Sequence, residues 1–132
     1  MAIGICKWGE DMKIPDVVPN LKNFIESVSH QLPENLEKII VFGSYARGEA
    51  TIRSDVDIAL VFGGEEPTQR ADKVAVDMAL YDFDDILHID LYCTNQTRID
   101  TEQNVMRPNY WIREEGKLLW TKEHTNTLAT GI

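Results

Sequence analysis

The chain has 132 residues, 43% hydrophobic and 27% charged, which is the composition of a single soluble globular domain and excludes collagen-like, coiled-coil and disordered chains. Its net charge of -9, from 22 acidic and 13 basic residues, repels phosphate backbones, so direct binding of nucleic acid is not expected. No run approaches the roughly 20 apolar residues of a membrane span, and the first residues do not form a signal peptide. The two cysteines fit no metal-ligand spacing, so we expect a reduced, cytoplasmic protein.

The first third of the chain predicts an arm, a helix and a strand. Residues 1–15 show no clear hydrophobic period and are predicted to form an irregular arm. A helix is predicted from Asp16 until Pro33, with Pro19 in its first turn. Its apolar face consists of residues spaced by three and four positions: Val18, Leu21, Ile25, Val28 and Leu32. The β-branched run 38–42 then predicts a buried strand.

The middle of the chain predicts a second strand at 56–62, a helix that Pro67 opens, and a third strand at 87–93. The helix is predicted to end at an acidic cluster of Asp82, Asp84 and Asp85, interpreted as a solvated helix end rather than a metal site. Its apolar face is predicted to comprise Ala71, Val74, Ala75, Met78 and Ala79.

The last part of the chain predicts a helix over 101–117 that is interrupted at Pro108 and stopped by Gly116. A short strand or turn at 118–120 follows, and residues 121–132 are predicted to form a loosely ordered tail. This order of elements predicts one domain over residues 1–132, of the α/β (α+β) class, with helices packed on a small mixed β-sheet.

The most informative segment lies between the first two strands. Side chains alternate along a strand, so Asp55 and Asp57 are predicted to point to one side while Val56 and Ile58 point to a core. Two carboxylates held side by side repel each other unless a divalent cation lies between them, and Mg²⁺ prefers such oxygen ligands. The Gly43-Ser44 turn ahead of them would let the backbone and a hydroxyl approach a phosphate.

Together these features predict a site that holds a triphosphate beside its metal, as nucleotidyl transfer requires. The spacing of Gly43 and Gly48 also fits the glycines of a P-loop. However, Glu49-Ala50 follow where that loop requires Lys-Ser/Thr, so a P-loop is excluded.

A third carboxylate is expected from the next strand, where Asp90 alternates with apolar residues. We interpret it as a metal ligand or general base, against the alternatives of a salt bridge or a solvent-facing edge strand. His88 lies on the same face, but it lacks partners at zinc-ligand spacing and is interpreted as a packed or substrate-facing residue.

Other residues near the motif allow two interpretations. Arg47 and Arg53 flank the site and either neutralise a triphosphate or are simply exposed. Ser54 is assigned with Gly43, Ser44 and Arg47 to nucleotide binding, although its hydroxyl can equally cap the turn. Trp111 and Trp120 are expected to be core or interface anchors rather than surfaces for stacking bases.

Three blocks, Gly43-Ser44, Asp55-Val56-Asp57 and Asp90, resemble the signature of the DNA polymerase β-like nucleotidyltransferase superfamily. The runs 43–48 and 54–58, with the ending 115–120, resemble its minimal nucleotidyltransferase branch in particular. The resemblance implies Mg²⁺ bound by Asp55, Asp57 and Asp90, ATP as the donor, and a role for Asp90 in activating the acceptor hydroxyl. Many members of that branch are antitoxins paired with an all-helical HEPN-type toxin, and some transfer AMP to a tyrosine of the toxin.

The resemblance leaves three functions open. The first is transfer of AMP from ATP to a hydroxyl on a partner protein such as a HEPN-type toxin. The second is neutralisation of a toxin by contact alone, and the third is nucleotidylation of a small, antibiotic-like molecule. No second domain like that of the larger enzymes is expected within these 132 residues, so a dimer mate or another protein is expected to supply the acceptor surface. The acceptor, the base preference and the oligomeric state stay open.

Overall fold

The computed structural model describes residues 12–64 and 70–122 of the chain. The elements in chain order are α1 (Ile14–Ser27), a 3-10 turn (Ser29–Gln31), β1 (Leu36–Phe42), α2 (Ser44–Arg47), β2 (Val56–Phe62), α3 (Arg70–Ala79), α4 (Tyr81–Asp84), β3 (Ile89–Asn95), α5 (Gln96–Thr101), α6 (Pro108–Glu115) and β4 (Lys117–Thr121). None of these helices has the length and hydrophobicity needed to cross a membrane.

The four strands form one mixed sheet in the order β3-β2-β1-β4. β1 pairs antiparallel with both β2 and β4, whereas β2 and β3 run parallel. The predicted small mixed sheet with helices packed on it is therefore confirmed. The parallel pair matters most for the site, because it brings equivalent positions of β2 and β3 side by side.

Both faces of the sheet are covered. The larger core lies between one face and helices α1, α3 and α4, and its buried members include Leu21, Ile25, Ile58, Leu60 and Phe83. The smaller core lies on the other face, where Ala59 and Val61 pack with Ile99 of α5 and Ile112 of α6. Alternation along β2 therefore directs Val56 and Ile58 into the larger core, as predicted, and directs Asp57 to the α5–α6 side.

Helix α1 begins earlier than predicted. It starts at Ile14, so Ile14 and Pro15 belong to the helix and not to an arm, and residues 1–11 lie outside the described part. The proline of the first turn is Pro15; Pro19 lies inside the helix, where it cannot donate a backbone hydrogen bond. Leu21 and Ile25 of the predicted apolar face are fully buried. The helix ends at Ser27 and not at Pro33, so Val28 and Leu32 lie beyond it, where they pack partly buried against the same core.

The apolar face predicted for helix α3 is wrong at three positions, since Ala71 is exposed as well as Val74 and Met78. Val74 and Met78 are 48% and 73% exposed, whereas Val76 and Leu80 are buried together with Phe83 of α4. Two overlapping stripes with helical spacing exist here, and the stripe that ends in the bulky Phe83 is the one that packs. The predicted start at Pro67 lies outside the described residues.

The predicted helix over 101–117 is wrong in its first part: α5 ends at Thr101, an irregular segment follows at 102–107, and only α6 lies within the predicted range. Asn104 Oδ1 accepts the backbone N–H of Met106 at 2.9 Å, a local turn that competes with helix formation. Arg107 is extended because it precedes a proline, and Pro108 begins α6 as predicted. Gly116 ends α6, and 118–120 lie in β4. Thr121 also belongs to β4 rather than to a tail, and residues 123–132 lie outside the described part.

Candidate active site

The turn after β1 lies directly against the Asp57 carboxylate. Gly43 has φ 76° and ψ -153°, a region that side-chain-bearing residues scarcely adopt. A Cβ at this position would overlap Oδ2 of Asp57 and come within 3.2 Å of its Cγ. The preceding residue, Phe42, is the register partner of Asp57 in the β1–β2 pair. Glycine is therefore required here for two reasons, backbone conformation and close approach.

The three predicted carboxylates come from two neighbouring strands. Asp57 and Asp90 are register partners in the parallel β2–β3 pair, and Asp55 lies two positions before Asp57. The pKa of Asp57 is raised, first by burial, then by the charges of Asp90 and Asp55 and more weakly by Glu115, while Arg47 acts in the opposite direction. Ionised Asp57 therefore lies in an environment with an excess of negative charge.

A fourth carboxylate, that of Glu115 at the end of α6, holds the turn in place. Its Oε2 accepts the backbone N–H of Gly43 at 3.1 Å and pairs with Nη1 of Arg47 at 2.9 Å. The Glu115 side chain is only 14% exposed, whereas that of Arg47 is 42% exposed and also pairs with Glu49 at 2.9 Å. Gly116 follows with no room for a Cβ between Ile112 and Ile40, so α6 packs closely against β1 at this point.

These groups border a cleft of about 500 Å³, within the range of small-molecule sites. Its lining combines the β1 turn, one residue of β2 and the start and face of α6: Phe42, Gly43, Ser44, Arg47, Asp57, Met106, Arg107, Pro108, Trp111 and Glu115. The cleft therefore joins the predicted phosphate and metal residues to a wall that the last helix supplies.

Several predicted residues lie beside this cleft rather than in its lining. Asp55 and Asp90 are exposed and act on Asp57 through charge. The Ser54 hydroxyl accepts the backbone N–H of Thr51 at 2.8 Å, which is the capping role allowed above, and its assignment to nucleotide binding stays a prediction. Arg53 and His88 are exposed and do not line the cleft.

The donor chemistry of the carboxylates fits Mg²⁺. Asp55, Asp57 and Asp90 offer hard oxygen ligands, and the pKa of Asp57 is raised first by burial and then by the charges of the other two. Among residues 12–64 and 70–122, however, no three acidic, histidine or cysteine side chains already form a closed ligand set. Mg²⁺ typically binds one or two carboxylates and completes its coordination shell with substrate phosphates and water. A site in which protein side chains supply only part of the shell is therefore compatible with Mg²⁺. The assignment of the three ligands stays a prediction.

The sequence did not identify Glu115, Met106 and Arg107 as site residues, and Trp111 was assigned to a core or an interface. Trp111 is 42% exposed and lines the cleft, so it is not a core residue. The signals available were the helix start at Pro108 and the stop at Gly116, both of which were recognised. These signals define the helix, but they do not indicate that it packs against the Gly43 turn.

We expect Glu115→Ala to destabilise the fold by about 1–3 kcal/mol, because the backbone N–H of Gly43 loses its acceptor and the guanidinium of Arg47 loses one of its two carboxylate partners. Glu115→Gln should cost less, since its amide oxygen can still accept from Gly43. Urea unfolding followed by circular dichroism measures both effects. The neighbouring Glu114→Ala is the matched control, as its exposed carboxylate pairs only with Arg113 among the described residues; it should stay within about 0.5 kcal/mol of the native chain. Equal losses for the two alanine variants would contradict this role for Glu115.

Comparison with known proteins shows which family the chain belongs to. Residues 21–116 match the family described as nucleotidyltransferase domain. Two proteins of Methanocaldococcus jannaschii named as candidate protein adenylyltransferases are similar to the chain. MJ0141 is 34% identical over 64 residues, covering 48% of this chain and 64% of that protein. MJ0604 is 44% identical over 41 residues, covering 31% of this chain and 41% of that protein. The chain thus aligns with less than two-thirds of either relative's length.

A solved structure supports the fold. The crystal structure of a toxin–antitoxin with AMP-PNP superposes with a TM-score of 0.50 at 21% identity, covering 81% of this chain and 78% of that one. At this identity the similarity concerns the fold alone. The family match spans most of the chain and includes the β1 turn, the carboxylates of β2 and β3, and α6. The chain therefore belongs to the nucleotidyltransferase domain family.

Proposed function

We propose that this chain is a magnesium-dependent adenylyltransferase that transfers AMP from ATP to a hydroxyl of a partner protein. We further propose that the partner is an all-helical HEPN-type toxin, for which the chain acts as the antitoxin. The proposal takes its reaction class from the family, its protein acceptor from the names of the Methanocaldococcus relatives, and its biological setting from the toxin–antitoxin of similar fold.

The single observation that carries the proposal is the register pairing of Asp57 with Asp90 beside the Gly43-Ser44 turn. Burying part of a carboxylate against two others costs free energy, as the raised pKa of Asp57 indicates. An ordinary structural role does not require such crowding. A cation-assisted reaction of a triphosphate does, because the carboxylates hold the cation and the cation offsets the negative charge of the phosphates.

In the proposed reaction, an oxygen of the acceptor hydroxyl attacks the α-phosphorus of ATP. The bond from this phosphorus to the oxygen that bridges to the β-phosphate breaks, and pyrophosphate leaves. The exposed Asp90 carboxylate takes the proton of the hydroxyl. Ser44 donates its hydroxyl hydrogen to a phosphate oxygen, and the Arg47 guanidinium offsets the negative charge of the phosphates. Glu115 keeps the Gly43 turn and Arg47 in position through the two contacts described above.

Asp55, Asp57 and Asp90 would hold the Mg²⁺. When bound, the ion supplies Lewis-acid stabilisation of the negative charge that develops on the phosphate oxygens. Asp57 would be the central ligand of this set, because it lines the cleft, is the register partner of Asp90 and follows Asp55 by two positions.

The proposal is tested by incubating the chain with Mg²⁺, ATP and the helical protein that the neighbouring gene encodes. With ATP labelled at the α-phosphate, we expect the label on the partner, whereas label at the γ-phosphate should leave with pyrophosphate. This pair of labels separates AMP transfer from phosphoryl transfer. Absence of α-label on every tested protein acceptor would refute the proposal.

A second candidate function is neutralisation of the toxin by contact alone. It is favoured by the net charge of -9 and by exposed apolar residues on α3 and α4, namely Val74, Met78 and Tyr81, which acidic residues flank. An acidic face steers association with a basic partner. Toxin inhibition in the absence of ATP by a variant with both Asp55 and Asp57 changed to Asn would favour this second function over catalysis.

A further inference from the structure

The cleft has two chemically different ends. At one end lie the groups suited to phosphates and a cation, namely Ser44, Arg47 and Asp57. At the other end Met106, Pro108 and Trp111, with the charged Arg107 among them, form a largely apolar wall that the proposed transfer reaction does not use. Because both ends border one continuous space of about 500 Å³, a single small molecule with an anionic part and an apolar part can fill it.

The indole ring of Trp111 is held in a fixed position. Its Nε1–H donates to the backbone carbonyl of Val105 at 2.8 Å, and the ring of Tyr110 lies edge-on with centroids 5.1 Å apart. Tyr110 itself has the guanidinium of Arg113 5.2 Å from its ring centroid. Since the only polar group of the indole already has a partner, the 42% of the residue that is exposed offers apolar and π surface.

The position of Trp111 on α6 relates the ring to the phosphate turn. Trp111 and Glu115 are four residues apart and both line the cleft, so they share one face of the helix, about 6 Å apart along its axis. Glu115 in turn contacts the backbone N–H of Gly43. The exposed ring therefore lies about one helical turn from the residue that anchors the phosphate turn. In a nucleotide, the ribose spans the corresponding gap between the base and the phosphates.

We propose that Trp111 is the surface on which the base of the donor nucleotide stacks, with Met106 as an adaptable apolar edge. The inference rests on the proposed function, because it assigns a role within the same cleft. A nucleotide carries the two chemistries of the cleft in one molecule, whereas a protein acceptor has only to bring its hydroxyl to the α-phosphorus. Met106 is 85% exposed, and its flexible thioether can follow the edge of a base.

The test compares two probes that differ in the base and ribose: ATP and inorganic tripolyphosphate, each with Mg²⁺. Isothermal titration calorimetry on the native chain is expected to detect both. Trp111→Ala should weaken ATP binding roughly 5- to 150-fold, the range for loss of one stacked base, and change tripolyphosphate binding less than about 2-fold. Trp111→Phe keeps an aromatic face but loses the bond to Val105, so it should retain most of the affinity for ATP.

Tryptophan fluorescence provides a direct readout of the contact. ATP should quench the emission of the native chain and tripolyphosphate should not, and Trp120→Phe, which changes an indole outside the cleft lining, should leave this quenching in place. Equal weakening of both probes by Trp111→Ala, or unchanged ATP affinity in that variant, would overturn the inference while leaving the proposed function intact. Failure of the native chain to bind either probe would overturn the proposed function and the inference with it.

Discussion

Asp57→Asn is expected to lower AMP transfer at least about 100-fold while leaving the chain no less stable than the native protein at neutral pH. The loss of activity follows from the central position of Asp57, which lines the cleft and is the register partner of Asp90. Several kcal/mol of transition-state charge stabilisation depend on a correctly held metal ion, and the neutral amide is a far weaker ligand for Mg²⁺. Transfer of α-label from ATP measures the effect.

The same substitution is expected to raise the stability of the chain at neutral pH, although it lowers the activity. The pKa of Asp57 is raised in the folded chain, mainly by burial and next by the charge of Asp90. A carboxyl group of this kind favours folding while it is protonated, and this contribution is lost as the pH rises from about 4, its unfolded pKa, through the folded pKa. At neutral pH the ionised group therefore opposes folding, and asparagine removes that charge without changing the shape of the side chain.

Thermal unfolding in the presence of EDTA separates these two effects. The melting temperatures of Asp57→Asn and the native chain should be similar below about pH 4, and the variant should be the more stable at pH 7. Asp82→Asn is the matched control, because Asp82 is exposed at the start of α4, away from the cleft, and should change neither property. A variant that loses activity together with stability at pH 7 would indicate a structural role for Asp57 instead of the proposed one.

The parts of the site that alternation and turn chemistry determine were predictable from the sequence. Strand alternation places Asp57 on the face opposite Val56 and Ile58, with Asp55 directly before the strand and close enough to raise the pKa of Asp57 after burial and Asp90. The same rule places Asp90 opposite Ile89 and Leu91. The parallel register that makes Asp57 and Asp90 direct neighbours is a long-range property. No local pattern predicts it, and the sequence led only to the expectation that a third carboxylate, Asp90, comes from the next strand.

The other half of the cleft could not be predicted, because it depends on how a distant helix packs. Glu115 reaches Gly43 across 72 positions of the chain, and the contact exists only because β4 pairs with β1 and draws α6 against the sheet. The bulk of Trp111 suggested a core or interface residue, but its exposure follows from the packing of Ile112, the next residue, into the smaller core. Neighbouring positions on a helix point in different directions, so burial of one leaves the other toward the cleft.

Competition between equally good patterns explains the remaining errors. In and just after α3, two pairs of apolar residues have helical spacing: Val74 with Met78, and Val76 with Leu80. The second pair is buried because it packs with Phe83 in the core. At 102–107 the helical period continues, but the side chain of Asn104 bonds to the backbone of Met106 and forms a turn instead. In both places the sequence allows two local structures, and tertiary contacts or a single side-chain bond select one.

Gly43→Ala is expected to reduce both stability and transfer, and by more than backbone strain alone would produce. Its φ of 76° with ψ of -153° costs a residue with a Cβ roughly 1–3 kcal/mol. In addition, the new methyl group would overlap Oδ2 of Asp57, so the carboxylate or the turn has to move. Displacement of a catalytic group by about 1 Å lowers a rate by roughly 100-fold. We therefore expect a loss of transfer of at least about that size, measured on protein that circular dichroism shows to be folded.

Gly64→Ala separates the effect of backbone strain from the effect of steric overlap with Asp57. Gly64 also has a positive φ, 87°, but a Cβ there meets no atom within 4 Å among the described residues, and it lies just beyond the end of β2 opposite to Asp57. This variant should lose about 1–2 kcal/mol of stability through strain and keep its transfer activity. If Gly43→Ala retained transfer to the same extent as Gly64→Ala, the close approach of the turn to Asp57 would not be needed for catalysis. The expected contrast between the two variants arises because Gly43, unlike Gly64, lies where a side chain would displace the carboxylate that the proposed reaction uses.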